Sequence, residues 1–116
     1  MAELATLDLV AAPDGVVHGR ITGELDAAST PAIRARLDAA LASAAAGLVL
    51  DLSGVTFLDS SGVELLFRLR ANLTMRAMRL TVVVPAGAPI RRTLEVSDSG
   101  AHLLEIVEAP PDGRPG

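Results

Sequence analysis

Short apolar runs along this chain alternate with longer stretches in which apolar residues recur at helical spacing, the pattern of strands joined by helices. Leu7 and Leu9, then Val17, Gly19 and Ile21, alternate with more polar neighbours. Ala12-Pro13-Asp14-Gly15 between them is turn-forming, so the segment reads as an antiparallel hairpin. Ser29-Thr30-Pro31 offers a capping hydroxyl and a proline suited to a first helical turn. Ile33, Leu37, Ala40, Leu41 and Ala44 then share one face, which predicts a helix from about 30 to 45.

Gly47-Leu48-Val49-Leu50-Asp51-Leu52 is apolar and bounded by turn signals, as expected of a strand buried on both faces. After Gly54, Val55-Thr56-Phe57-Leu58 leads into Asp59-Ser60-Ser61-Gly62, beyond which Val63, Leu66, Phe67, Leu69 and Leu73 define a second helix from about 60 to 73. A third unit follows: Leu80 to Val84 as strand, Pro85-Ala86-Gly87 as turn, and Ala88 to Val96 as a helix closed near Ser99-Gly100. Leu103, Leu104, Ile106 and Val107 suggest a last short strand. Ala109 to Gly116 holds three prolines and two glycines in eight residues and reads as a disordered tail after a single domain over 1–108.

A leading hairpin followed by alternating strands and helices implies an α/β fold. Its mixed sheet of four or five strands should carry right-handed crossovers and helices packed against it. Composition sharpens the expectation. At 116 residues the chain can bury one core, and half of it is hydrophobic while aromatics make up only 2%. The core is therefore aliphatic, with Phe57 and Phe67 as its only rings.

The absence of cysteine excludes a disulfide framework, a thiolate nucleophile and a zinc-thiolate site, and it fits a reducing, cytoplasmic setting. All ten basic residues are arginine, so a Walker A loop, a kinase ATP-binding lysine and a Schiff base are excluded. A formal charge of -4 without an aromatic stacking platform argues against direct contact with nucleic acid. The longest uncharged stretch, Ala39 to Leu50, is 12 residues, short of the about 20 that a membrane span needs. Met1-Ala2-Glu3-Leu4 has no basic residue before Arg20 and does not resemble a secretory signal.

The cluster at 59–62 is the strongest candidate for chemistry. A helix N-terminus carries unpaired amides and partial positive charge, which suit a capping side chain and also an added phosphate. Taken alone, the four residues read more readily as a Ser or Asp cap, because such caps are common. An aspartyl phosphoacceptor at Asp59 would need further acidic residues for magnesium and a later lysine, and the chain has no lysine. A serine hydrolase would need Gly-x-Ser-x-Gly and a base, whereas His18 and His102 are isolated and read as ordinary strand residues. No metal or cofactor site is expected.

The order of segments, with Gly-Glu-Leu-Asp at 23–26 and Phe-Leu-Asp-Ser-Ser-Gly at 57–62, resembles the STAS domain, in particular the bacterial anti-sigma factor antagonists. The resemblance spans about residues 4 to 108. It implies a binding module and not an enzyme. In that family the unphosphorylated antagonist docks on an anti-sigma factor, a serine kinase, and frees a sigma factor; the kinase phosphorylates the serine after the aspartate, here Ser60, and a serine phosphatase restores it. The resemblance also places Asp26 and Thr30 beside the switch serine as partner contacts, with Asp59, Ser61 and Gly62 of the cluster itself.

Helical spacing puts Ser61, Glu64, Leu65 and Arg68 on one strip running away from the switch. Glu64 and Arg68 read first as a solvated surface pair; Leu65, at the edge of the apolar face, is an anchor if exposed. The alternative is a non-switching STAS subunit of a membrane transport or signalling assembly, in which Ser60 is a mere cap.

Overall fold

A computed structural model describes residues 5–42, 45–98 and 103–111. The hairpin consists of β1 (Ala5–Ala11) and β2 (Val16–Leu25), antiparallel in an unbroken register that sets Leu7 against Ile21 and Asp8 against Arg20. Then come α1 (Thr30–Ala40), β3 (Gly47–Leu58), α2 (Ser60–Met75), β4 (Arg79–Val83), α3 (Arg91–Ser97) and β5 (Glu105–Val107). The five strands lie in the order β1-β2-β3-β4-β5, with every pair after the first parallel. Right-handed crossovers that all advance in one direction gather the helices on one face.

That face holds the core. Leu7, Val17, Ile21, Leu48, Leu50, Leu52 and Val82 project from the strands onto Ile33 and Leu37 of α1, Leu66, Leu69 and Leu73 of α2, and Leu94 of α3. Thr6, Asp8 and Arg20 alternate with these and stay exposed, so β1 and β2 show the period-2 pattern of a sheet with one wet face. A fully buried Leu or Ile contributes roughly 1.5–3 kcal/mol, which makes this aliphatic layer the main stabilising term.

Several elements differ from the sequence reading in extent. The strand expected at 48–52 runs unbroken to Leu58, through Ser53 and Gly54. A Cβ at Gly54 would lie 2.6 Å from Thr22 Cγ2, so this glycine serves close strand approach, where the β2–β3 register shifts, and not a turn. α1 stops at Ala40 instead of about 45, with Leu41 as its C-cap, and Ala44 lies outside the described residues. α3 begins at Arg91, because Ala88 and Pro89 belong to the turn before it. β5 is limited to three residues. Phe57, expected in the core, is 49% exposed, whereas Phe67 packs against the core as expected. Ser99, Gly100, His102 and the tail from Asp112 lie outside the described residues.

Asp98 closes the structure ahead of β5. It is buried, and its two carboxylate oxygens accept from the amides of Leu103 at 2.8 Å and Leu104 at 2.9 Å. No periodicity argument singled it out, since a buried carboxylate that binds backbone looks like any loop aspartate in sequence.

Candidate functional site: the start of α2

β3 delivers the chain to the end of the sheet, and Asp59 turns it into α2. Asp59 has extended backbone and is the N-cap: its Oδ1 accepts from Ser61 N at 2.8 Å and Gly62 N at 3.3 Å. Its carbonyl accepts from Val63 N at 3.0 Å, the first helical bond. The cap is thus the carboxylate and neither serine hydroxyl. Ser60, at the first helical position, is exposed, and its hydroxyl has no hydrogen-bond partner among the described residues.

The turn is pinned to the neighbouring strand. Asp59 N donates to Leu25 O at 3.2 Å, and Gly62 sits directly over the end of β2. Past Leu25, Asp26 Oδ1 accepts from the amides of Ala28 and Ser29, both at 3.0 Å, which folds the chain into a tight Asx turn before α1. Ser29, expected to cap α1, makes no capping bond. Its hydroxyl donates to Glu24 O at 2.7 Å and accepts from Asp26 N at 3.1 Å, tying the loop back onto β2, while Pro31 takes the first turn as expected. Two loops held by their own backbone bonds therefore lie side by side at one end of the sheet.

A groove of about 400 Å³ opens between α1 and α2 at this end. Thr30, Pro31, Arg34, Ala35 and Asp38 line it from α1, and Ser61, Glu64, Leu65 and Arg68 from α2. The structure thus brings Thr30 together with the whole strip expected on α2. Glu64 and Arg68 form the expected surface pair at 3.6 Å, matched across the groove by Arg34 and Asp38 at 3.8 Å.

Leu65 is not the exposed anchor allowed for. It is 3% exposed. The buried arc of α2 runs through Gly62, Leu65, Leu66, Leu69 and Leu73, so the helix is rotated to place Leu65 against α1, with Val63 and Phe67 on its flank. Leu65 forms groove floor. The α1 wall of Arg34, Ala35 and Asp38 was missed, because nothing in the sequence says which helix faces α2; the exposed ring of Phe57, two residues before Asp59, was missed because an aromatic in a strand reads as core.

Among the described residues no group of histidines and carboxylates could hold a metal ion, and no helix is long and apolar enough to cross a membrane. Both groove carboxylates and both groove arginines are spoken for by each other.

Comparison with known proteins accounts for this arrangement. The family profile described as Mlab, STAS domain matches residues 9–107. The chain belongs to the STAS-domain family, among the anti-sigma factor antagonists. The anti-sigma F factor antagonist of Lysinibacillus sphaericus is 30% identical over 90 residues, 77% of this chain and 76% of that protein. The crystal structure of an anti-sigma factor antagonist from Mycobacterium paratuberculosis superposes with a TM-score of 0.74 at 25% identity, covering 94% of this chain and 90% of the other. The antagonist SpoIIAA in its unphosphorylated form gives 0.70 at 25% identity, covering 92% of each. The five-stranded mixed sheet, N-terminal hairpin and three helices are those of the STAS fold.

Proposed function

We propose that this STAS domain is a phosphorylation-switched anti-sigma factor antagonist without catalytic activity of its own. Unphosphorylated, it docks on an anti-sigma factor that is a serine kinase and so releases a sigma factor. The kinase moves the γ-phosphoryl group of ATP to Ser60 Oγ, with loss of the hydroxyl proton and release of ADP, and the complex separates. A serine phosphatase then adds water across the phosphoester and returns the hydroxyl.

The observation that carries this reading is the division of labour between Asp59 and Ser60. A capping serine would have its hydroxyl engaged by helix amides, but here the carboxylate takes that duty and leaves the hydroxyl exposed. The docking surface includes the two rigid loops carrying Asp26, Thr30, Asp59 and Gly62 and the groove wall of Ser61, Glu64 and Arg68, with Leu65 beneath it. A phosphoryl group adds about -1.5 to -2 charge, and in an interface shaped around a hydroxyl it brings repulsion and desolvation. Each ~1.4 kcal/mol of that penalty lowers affinity tenfold.

The test begins with a pull-down from the source cell probed for a small serine kinase. That kinase, purified, is then incubated with this chain and ATP, and the intact mass is read. Addition of one phosphoryl group at Ser60, with loss of kinase binding, is expected. A chain that stays unmodified while copurifying with membrane transport subunits would replace the proposal with the non-switching alternative.

A further inference from the structure

The amides at the start of α2 decide what becomes of a phosphoryl group on Ser60. A helix N-terminus ordinarily offers an anion several unpaired N–H groups and a partial positive charge. In this chain most of that offer is already taken. Ser61 N and Gly62 N donate to the Asp59 carboxylate, and Asp59 N donates to Leu25 O. Of the first four amides only that of Ser60 itself stays outside this arrangement.

The surrounding charges offer no substitute. Along α2, Glu64 follows one turn on and is paired with Arg68; on α1, Arg34 is paired with Asp38. On the loop between β2 and α1, Asp26 is a second carboxylate, held by the amides of Ala28 and Ser29, and Glu24 lies two residues before it in β2. The elements around Ser60 therefore present carboxylates and arginines that are paired with each other.

Building on the proposal that Ser60 is the acceptor, we infer that Asp59 is a positioning residue that denies the phosphoryl group the helix amides and keeps it projecting into solvent as an uncompensated dianion. For regulation, the phosphoryl group then stays open to attack by a phosphatase. A neighbouring carboxylate also opposes loss of the second phosphate proton, whereas amide donors would favour it.

That contrast is measurable without any kinase. Phosphoserine is installed at position 60 of the full chain by a suppressor tRNA, and the second phosphate ionisation is followed by phosphorus NMR against a phosphoserine peptide, whose value is about 6. The phosphorylated wild-type chain is expected to titrate above the peptide. Asp59→Asn, which keeps a cap but removes the charge, should fall close to the peptide. Asp59→Ala, which frees both amides for the phosphate, should fall below it. A wild-type value at or below that of the peptide would show a cradled phosphate and overturn the inference, as would an Asp59→Asn value as high as the wild type; this pair decides the matter even if Asp59→Ala does not fold. Failure of a kinase to modify Ser60 would count against the proposed function alone, since the installed phosphoserine titrates regardless.

Discussion

A Cβ placed on Gly62 would stand 2.8 Å from the carbonyl oxygen of Leu25 and 2.4 Å from Leu58 Cδ1. The first turn of α2 thus rests directly on the ends of β2 and β3. Gly62→Ala should force the turn away from the sheet, at a cost of about 1–3 kcal/mol typical of overpacking. Urea denaturation should show the loss, and the amide signals of Asp59 to Val63 should shift. An unchanged midpoint with unchanged signals would show that the first turn of α2 does not depend on this close approach.

The two serines should separate cleanly. Ser60→Ala removes a hydroxyl with no partner in the fold, so stability should stay within about 0.5 kcal/mol of the parent, as at surface positions in general. It should abolish phosphoryl transfer yet keep kinase binding. Ser60→Asp should weaken binding, incompletely, because one carboxylate carries less charge than phosphate. Ser61→Ala should remain a substrate. Phosphopeptide mapping that places the group on Ser61 would refute the assignment.

α2 ends in a way that invites improvement. Met78 N donates to Leu73 O at 2.8 Å and Ala77 N to Thr74 O at 3.0 Å, the paired bonds of a Schellman motif around the C-cap Arg76. Ala77 holds the left-handed position, with φ 56, that glycine usually fills. Ala77→Gly should therefore raise stability by about 0.5–1 kcal/mol, read as a higher denaturation midpoint with an unchanged slope. A lower midpoint would show that the entropy of the unfolded glycine outweighs the relief.

The fold should respond to acid through β5. The Arg79 guanidinium donates to both oxygens of Glu105 and holds that carboxyl below the usual carboxylate range, aided by the Arg79 charge and by Thr81 and opposed by partial burial. A depressed folded-state value means that the unfolded chain binds the proton first. The contribution is full above the unfolded-state value and fades as pH falls through the folded-state value. Arg79 is largely open to solvent and Glu105 is half-buried, so solvent screens the pair and the effect is small. Glu105→Gln should flatten the decline of stability below the ordinary carboxylate range. An identical decline in parent and variant would assign acid sensitivity elsewhere.

The hairpin, the alternation of strands and helices and the opening of α2 at Ser60 were all legible, because each rests on local periodicity or on a cap. What escaped the sequence depended on partners distant along the chain. Gly54 looks like a turn until Thr22 is seen pressing on it from β2. Leu65 lies on the arc that faces α1, and Phe57 falls where β3 has passed the end of its pairing with β4, which ceases at Asp51. Ser29 has the residue type of a cap but finds the carbonyl of Glu24 instead. At the candidate site the residue types were readable; which of three neighbouring oxygens would hold the amides was a matter of geometry.

Each strand of the sheet lies beside the next one in the chain, and none is inserted between two earlier ones. A polypeptide emerging from the ribosome can therefore add every new strand to an edge that is already in place. The turn carrying Ser60 rests on the ends of β2 and β3, through Leu25, Leu58 and Gly62. The turn of the candidate switch thus draws its immediate supports from strands that precede it in the chain, while the body of α2 goes on to pack against β4, the strand that follows.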